Sequence, residues 1–336
     1  MKVKIDELRH IIEQILISTY YSETEASQIA EVLLYAEMSG KNTQGLVKLL
    51  GTEPIQNIKP KHPPKIIKDT KLSTLVDGGG NSGILVSHIA TQTVIDKCNT
   101  HGFGIVGTNN TFSSTGVIGF YCEKIAHHDF IAIVMAGSPG GVAPHGSIDP
   151  LFGTNPIAFG YPTESEPLIF DMATSAITWY GLVRAKALGQ QLPEGVAMDI
   201  NGNPTTDPEK AMKGAIYSFD KNYKGSGLSM MVEIFTGPLV GAAYCDPTGA
   251  GDWGNLFIAV DPDVLIGKKE FKKHLSELIH KVKSGRKDTH IRSVHIPGEA
   301  SREKRNKARV AGILEIDDAL YQKLLNLSIK KILNPS

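Results

Sequence analysis

The sequence predicts a mixed α/β protein, and three observations carry that prediction. Apolar residues recur at helical spacing near the N-terminus, short alternating or wholly apolar runs suited to strands begin at Leu72, and helix-like segments separate those runs. With 336 residues, of which 41% are hydrophobic and 21% charged, the chain has the make-up of an ordered globular protein of one large or two smaller domains.

Taken in order, Ile5, Leu8, Ile11, Ile12, Ile15 and Leu16 share one face, which gives an opening amphipathic helix. Ser22 and Glu25 form a capping box ahead of a second helix, whose apolar face is Ile29, Val32, Leu33 and Ala36 and which runs toward Met38. The proline-rich, basic stretch 59–64 reads as an exposed connection. From 72 to 106 the expected order is an alternating strand, a glycine turn, a helix over 82–99 and a strand at 104–107. A helix near 117–127, an apolar strand at 130–135 and strand-like runs at 157–160 and 168–170 follow. The last third adds a helix over 227–243, a strand at 256–260 and an amphipathic helix through Phe271, Leu275, Leu278, Ile279 and Val282. Segment 193–220 carries the turn dipeptides Asn201-Gly202 and Asn203-Pro204 and reads as a long loop, either functional or interfacial, or a plain surface excursion.

Charge and motif content exclude several functions. The 35 Lys and Arg balance 35 Asp and Glu, so no net field draws nucleic acid or an anionic membrane, and the expected partner is a small molecule. No segment approaches the roughly 18 consecutive apolar residues of a membrane span. The start of the chain is charged and amphipathic, unlike a secretory leader, so the cytoplasm is the expected compartment. Cys98, Cys122 and Cys245 are odd in number, lack metal spacing and are expected as reduced, buried thiols. His127 and His128 end a helix, where a cation suits the dipole, and His274, His280, His290 and His295 lie among charges. No metal site is expected, and the hydrolase motifs G-x-S-x-G and H-E-x-x-H and the Walker loop are absent.

Two segments match the dinucleotide fingerprint G-x-G-x-x-G: Gly78, Gly80, Gly83 and Gly102, Gly104, Gly107. The second precedes its strand, so no helix N-terminus follows to hold a pyrophosphate. The first lies between a strand and a helix, but its strand is half polar and the acid about 20 residues on, Asp96, falls inside the helix, which weighs against a phosphate loop. The most informative region is 138–175, which contains Ser138-Pro139-Gly140-Gly141, Ala143-Pro144-His145-Gly146, Phe152-Gly153-Thr154-Asn155-Pro156 and Phe170-Asp171-Met172-Ala173-Thr174-Ser175. Small residues at successive strand ends suit close backbone approach to a ligand, and they suit tight β-turns equally well.

At these residues the sequence resembles the malate/L-lactate dehydrogenase type 2 family, which also includes ureidoglycolate, sulfolactate and diketogulonate dehydrogenases and cyclic imino acid reductases. The likeness covers nearly the whole chain. It rests as well on Val76-Asp77-Gly78, Ile157-Ala158-Phe159-Gly160, Leu192-Pro193-Glu194-Gly195, Pro204-Thr205-Thr206-Asp207-Pro208, Lys224-Gly225-Ser226-Gly227-Leu228, Met231-Val232-Glu233 and Pro297-Gly298-Glu299. The resemblance implies a mixed α/β, non-Rossmann NAD(P)-binding fold, which removes the fingerprint reading of Gly78 to Gly83. It also implies a homodimer, with residues 1–70 and 300–336 forming a helical, dimerising part and 71–299 the NAD(P)-binding and catalytic domain. The cofactor is then NAD or NADP, held near Thr115, Gly116, Ser138, Asn155, Asp171, Met172, Ala173, Thr174, Lys224, Pro297, Gly298 and Glu299.

Departures from the family pattern fall on the expected catalytic residues. Many members carry Ser-His-Gly with an arginine three residues later, where this chain has Thr43-Gln44-Gly45 and Lys48; a lysine is a point charge rather than a bidentate fork. The family's histidine motif, Asn-Ser-x-His-Phe-Gly, corresponds to Thr111-Phe112-Ser113-Ser114-Thr115-Gly116. The candidate catalytic residues are therefore Ser114, Lys48 and Gln44, with Ser114 too weak an acid to work unaided near neutral pH. Three functions compete. The first is hydride exchange with a small 2-oxo or 2-hydroxy carboxylate. The second is reduction of a cyclic imino acid, whose iminium already carries its proton, and the third is cofactor binding without turnover.

Overall fold

The computed structural model describes residues 1–50, 54–246, 251–286 and 293–333. The opening apolar face becomes helix α1 (Ile5–Ile17), entered from the short strand β1 (Lys2–Lys4). Helix α2 (Glu23–Met38) starts at the expected capping box: the Glu25 N–H donates to the Ser22 hydroxyl and the Ser22 N–H to the Glu25 carboxylate. Two 3-10 turns, Asn42–Gln44 and Leu46–Leu49, follow on either side of Gly45, and a third covers Ile55–Asn57.

The main sheet grows from the run beginning at Leu72. Strands β2 (Lys65–Asp69) and β3 (Ser73–Asp77) precede α3 (Gly83–His101) and β4 (Phe103–Thr111), then come α4 (Gly119–Ala126), β5 (Ile131–Ala136), β6 (Ile157–Tyr161) and β7 (Leu168–Met172). Next are α5 (Trp179–Ala187), β8 (Ala197–Met198), α6 (Pro208–Lys213), β9 (Ala215–Ile216), α7 (Tyr223–Thr236) and β10 (Trp253–Val260). The chain finishes with α8 (Lys268–Lys283), α9 (Glu299–Ala311), β11 (Ile313–Glu315) and α10 (Asp318–Leu333).

Seven strands form one sheet in the order β2-β3-β4-β10-β5-β6-β7. Only β3 and β4 run parallel, joined by the crossover helix α3, and every other neighbouring pair is antiparallel. The sheet is thus mixed, with β10 inserted between β4 and β5. One face is covered by α3 and α4 and continues into α1, α2 and α10 as a single core that includes Leu8, Leu33, Val86, Tyr121, Val134 and Phe257. Val232 of α7 packs with Met135 and Ile157 in a separate cluster. The two chain ends meet where β1 pairs with β11, Val3 opposite Leu314, and where Tyr321 donates to Glu7 at 2.5 Å.

Four expectations are corrected. Strand β2 was not foreseen: it is an edge strand with all five residues exposed, so it has no burial pattern to read. The helix expected over 227–243 runs Tyr223–Thr236 because the Asn222 side chain caps it and Gly237 ends it. Segment 193–220 is more than loop: β8, α6 and β9 fold there, around Val142, Phe152, Leu182, Leu192, Ala197 and Ile216. Cys245 is exposed with φ at 51°, whereas Cys98 and Cys122 are buried. His290 lies outside the described residues.

The glycine turn before α3 has a structural role. Gly79 and Gly80 take φ values of 61° and 73°, and a Cβ on Gly79 would lie 2.2 Å from the His62 carbonyl oxygen. The N–H groups of Gly78, Gly80 and Gly83 donate to the carbonyls of Asn109, Asn110 and Phe112, so these amides serve the neighbouring strand and its extension. No helix among the described residues is long and apolar enough to cross a membrane.

Candidate active site

An antiparallel sheet brings the end of one strand beside the start of the next. The ends of β4, β5 and β7 and the starts of β6 and β10 therefore lie on one edge, and the segments there enclose a cavity of about 560 Å³. Its walls come from 114–118 after β4, 136–141 after β5, Thr154 and Pro156 before β6, 171–173 at the end of β7 and Trp253 at the start of β10. The turns after α2 supply Lys41, Thr43, Gln44 and Lys48, and the start of α5 adds Thr178, Trp179 and Tyr180.

This cavity gathers all three candidate catalytic residues. Ser114 Oγ donates to Gln44 Oε1 at 3.4 Å and accepts the Gly116 N–H at 3.1 Å. Ser113, one residue earlier, has φ at 66°, an uncommon conformation for a residue with a Cβ and one found often at functional sites. Lys48 is 2% exposed and its ammonium stands 3.5 Å from the centre of the Tyr180 ring. Among the described residues, no histidine lines the cavity.

The expected cofactor residues divide into four groups. Thr115, Gly116, Ser138, Asp171, Met172 and Ala173 line the cavity directly. Asn155 and Thr174 are fully buried and do not line the cavity themselves, although their neighbours Thr154, Pro156 and Ala173 do. Asn155 has φ at 40° and its amide donates to Glu233 Oε2 at 2.6 Å, while the Thr174 hydroxyl donates to the Asn155 carbonyl at 3.0 Å. Lys224 lies exposed at the start of α7, and Glu299 pairs with Lys283; neither lines the large cavity.

Pro297 and Gly298 line a second cavity of about 260 Å³, which shares Lys41, Val117 and Asp171 with the first. At this junction Lys41 Nζ sits 2.7 Å from Asp171 Oδ2, and the same oxygen accepts the Gly119 N–H at 3.1 Å. Two adjoining cavities of these sizes suit a long ligand with a group at each end, as a dinucleotide has. The larger one also contains Trp253, whose buried indole N–H has no hydrogen-bond partner among the described residues.

Lys41, Thr178, Trp179, Tyr180 and Trp253 were not among the expected site residues. Lys41 stands two positions before the Thr43-Gln44-Gly45 segment and was within reach of that motif. The other four come to the cavity only through the packing of α5 and β10, and no local pattern marks them.

Comparison with known proteins agrees with this arrangement. The family model for malate/L-lactate dehydrogenase matches residues 3–325. L-sulfolactate dehydrogenase from Methanothermobacter thermautotrophicus is 33% identical over 98% of this chain and 96% of its own. Ureidoglycolate dehydrogenase (NAD(+)) from Escherichia coli is 28% identical, covering 97% of this chain and 95% of its own. The solved structure of sulfolactate dehydrogenase from Methanocaldococcus jannaschii superposes with a TM-score of 0.86 at 30% identity, over 99% of this chain and 98% of that one. Since the likeness spans the sheet, the terminal helices and every segment that walls the cavity, the chain belongs to the malate/L-lactate dehydrogenase family.

Proposed function

We propose that the protein is a nicotinamide-dependent oxidoreductase of a small 2-oxo or 2-hydroxy carboxylate, using NAD or NADP. The observation that carries this reading is the convergence of Gln44, Lys48 and Ser114 with Ser138 and Asp171 to Ala173 in one cavity. A bound nicotinamide supplies or accepts the hydride at its ring carbon. In the reducing direction the substrate carbon gains that hydride and its oxygen gains a proton. Lys48 neutralises the carboxylate, and its buried position strengthens that attraction. Ser114 and Gln44 orient the oxygen through hydrogen bonds, and Ser114 passes a proton onward from water rather than acting as a free acid. Asp171, Met172 and Ala173, with Lys41 beside them, hold the cofactor where the two cavities join. The name of the Escherichia coli relative, which specifies NAD(+), favours a nicotinamide cofactor here too.

A second reading, reduction of a cyclic imino acid, is favoured by the absence of a histidine from the described cavity wall. An iminium already holds its proton, so its reduction demands less acid catalysis than that of a ketone. Cofactor binding without turnover is the third outcome. Single-turnover oxidation of NADH and NADPH with a panel of 2-oxo acids and cyclic imines separates the three. Failure of both cofactors to raise the melting temperature removes the reading altogether.

We also propose a homodimer, with its contact on α7 rather than on the terminal segments 1–70 and 300–336, because the apolar faces of α1 and α2 are buried in the chain's own core. Helix α7 leaves Tyr223, Met230, Met231, Ile234 and Phe235 exposed, with Leu239 just beyond it. A patch of this kind marks a surface for another protein, and a second copy is the partner that the family resemblance implies.

A further inference from the structure

Beneath the two turns that carry Gln44 and Lys48 lies Glu37, in the last turn of α2 and 4% exposed. Its Oε2 accepts the side-chain amide of Asn42 at 2.6 Å, and its Oε1 accepts the backbone N–H of Leu46 at 2.8 Å. One donor comes from each turn, so a single carboxylate ties both Asn42–Gln44 and Leu46–Leu49 to α2. Gly45, between the turns, closes directly over the acid: a Cβ there would lie 2.2 Å from Oε1.

We propose that Glu37 is a positioning residue for the active site: its ionised carboxylate holds the two turns so that Gln44 and Lys48 face the substrate. The inference rests on the functional reading of the cavity given above. Both partners are N–H donors, which an ionised carboxylate accepts without conflict, whereas a protonated acid must turn an O–H toward one of them. Burial opposes ionisation and pushes the Glu37 carboxyl up to about 7, against the pull of Leu46, Asn42 and the Arg184 charge on α5. The nearby cations of α9 face elsewhere: Arg305 pairs with Glu123, and Lys304 packs against Gly40. Positioning by Glu37 therefore strengthens as pH rises through about 7 and weakens as it falls below.

Glu37→Gln and Asn42→Ala test the proposal in the full-length chain. Glu37→Gln leaves one oxygen for two donors, and kcat/KM for the best 2-oxo acid or imine should fall about 10- to 100-fold, chiefly through KM, as expected for a lost hydrogen bond to a charged group. Affinity for NADH, read by fluorescence titration, should stay within about twofold, since this cofactor is expected to be held by other segments. The acid limb of log kcat/KM near 7 should vanish. Asn42→Ala removes a donor that favours the charged form, so that limb should move to higher pH. Hydrogen exchange over 42–49 at fixed pH should quicken in both variants, whatever the turnover. Unchanged kcat/KM in Glu37→Gln, or unchanged exchange in both variants, overturns the proposal. If Glu37→Gln does not fold, Asn42→Ala decides alone: an acid limb that stays or moves down overturns it. A wild-type chain inactive on the whole panel defeats the functional reading instead, and the exchange comparison still decides the role of Glu37.

Discussion

Lys48 and Tyr180 meet face on, the ammonium 3.5 Å from the ring centre, both in the wall of the large cavity. Lys48 belongs to the turns after α2 and Tyr180 to the first turn of α5, so the contact joins segments far apart in the sequence. A desolvated cation–π contact is worth about 2 kcal/mol, enough to fix a flexible lysine stem. Tyr180→Leu should therefore raise KM for the carboxylate substrate about 10-fold. Lys48→Met removes the charge as well and should cost at least about 100-fold. Steady-state kinetics checks both, and a Tyr180→Leu enzyme with unaltered KM would show that the ring does not orient the ammonium.

Ser114 donates to the Gln44 side-chain oxygen in the cavity wall, and it stands where the family resemblance expects a histidine. Ser114→Ala should lower turnover by about 10- to 1000-fold, the range expected when one transition-state donor is lost. Cofactor affinity should barely change. Ser114→His separates the two substrate classes: a ketone reductase keeps or gains rate, while an imine reductase gains little and loses room for its ring. Full turnover in Ser114→Ala would transfer the role to Lys48.

The exposed face of α7 predicts the assembly. Light scattering should give the mass of a dimer at micromolar concentration, and the double variant Met231→Asp, Phe235→Asp should give a monomer. Wild-type chain that scatters as a monomer would contradict the proposal.

Stability should depend on pH through His88, whose Nε2–H donates to the Gln28 carbonyl at 3.2 Å and whose ring is packed edge-on against Phe120 and Tyr121. Burial lowers its pKa from 6.5 to about 4. The neutral ring's contribution is thus present above 6.5 and lost as pH falls through about 4, on the order of 3 kcal/mol in all. Glu37 acts in the opposite sense, since its raised pKa gives stability below 4.5 that is lost as pH rises through about 7. Urea midpoints measured across this window should fall less steeply toward acid in His88→Phe than in wild type. Parallel curves would exclude His88 as the cause.

Elements with a strong period were legible in the sequence: α1 and α2 from their apolar faces and capping box, and the apolar core strands β5 and β10 from their runs. Strand β2 was not, because an edge strand exposed on both faces carries no alternation of burial. The unit around α6 was hidden by its turn-rich composition, since its core residues Val142 and Phe152 come from outside that segment. Within the site, Lys48, Gln44 and Ser114 were named only through the family resemblance, by setting the chain against its motifs. Tyr180 and Glu37 could not be found in this way, because their importance arises only when α5 and α2 are brought against the same turns.

The insertion of β10 between β4 and β5 has a consequence for how the chain reaches its native state. Strand β5 is complete at Ala136, yet the strand that pairs it with β4 ends at Val260. During synthesis both inner edges remain without their partner while the intervening helices and the smaller unit emerge. Such late, non-local pairing slows folding and leaves strand edges open to association with other chains. Chains ending before Trp253 should therefore aggregate rather than accumulate as a soluble N-terminal fragment, and during refolding the cavity edge should be the last part of the sheet to gain protection from hydrogen exchange.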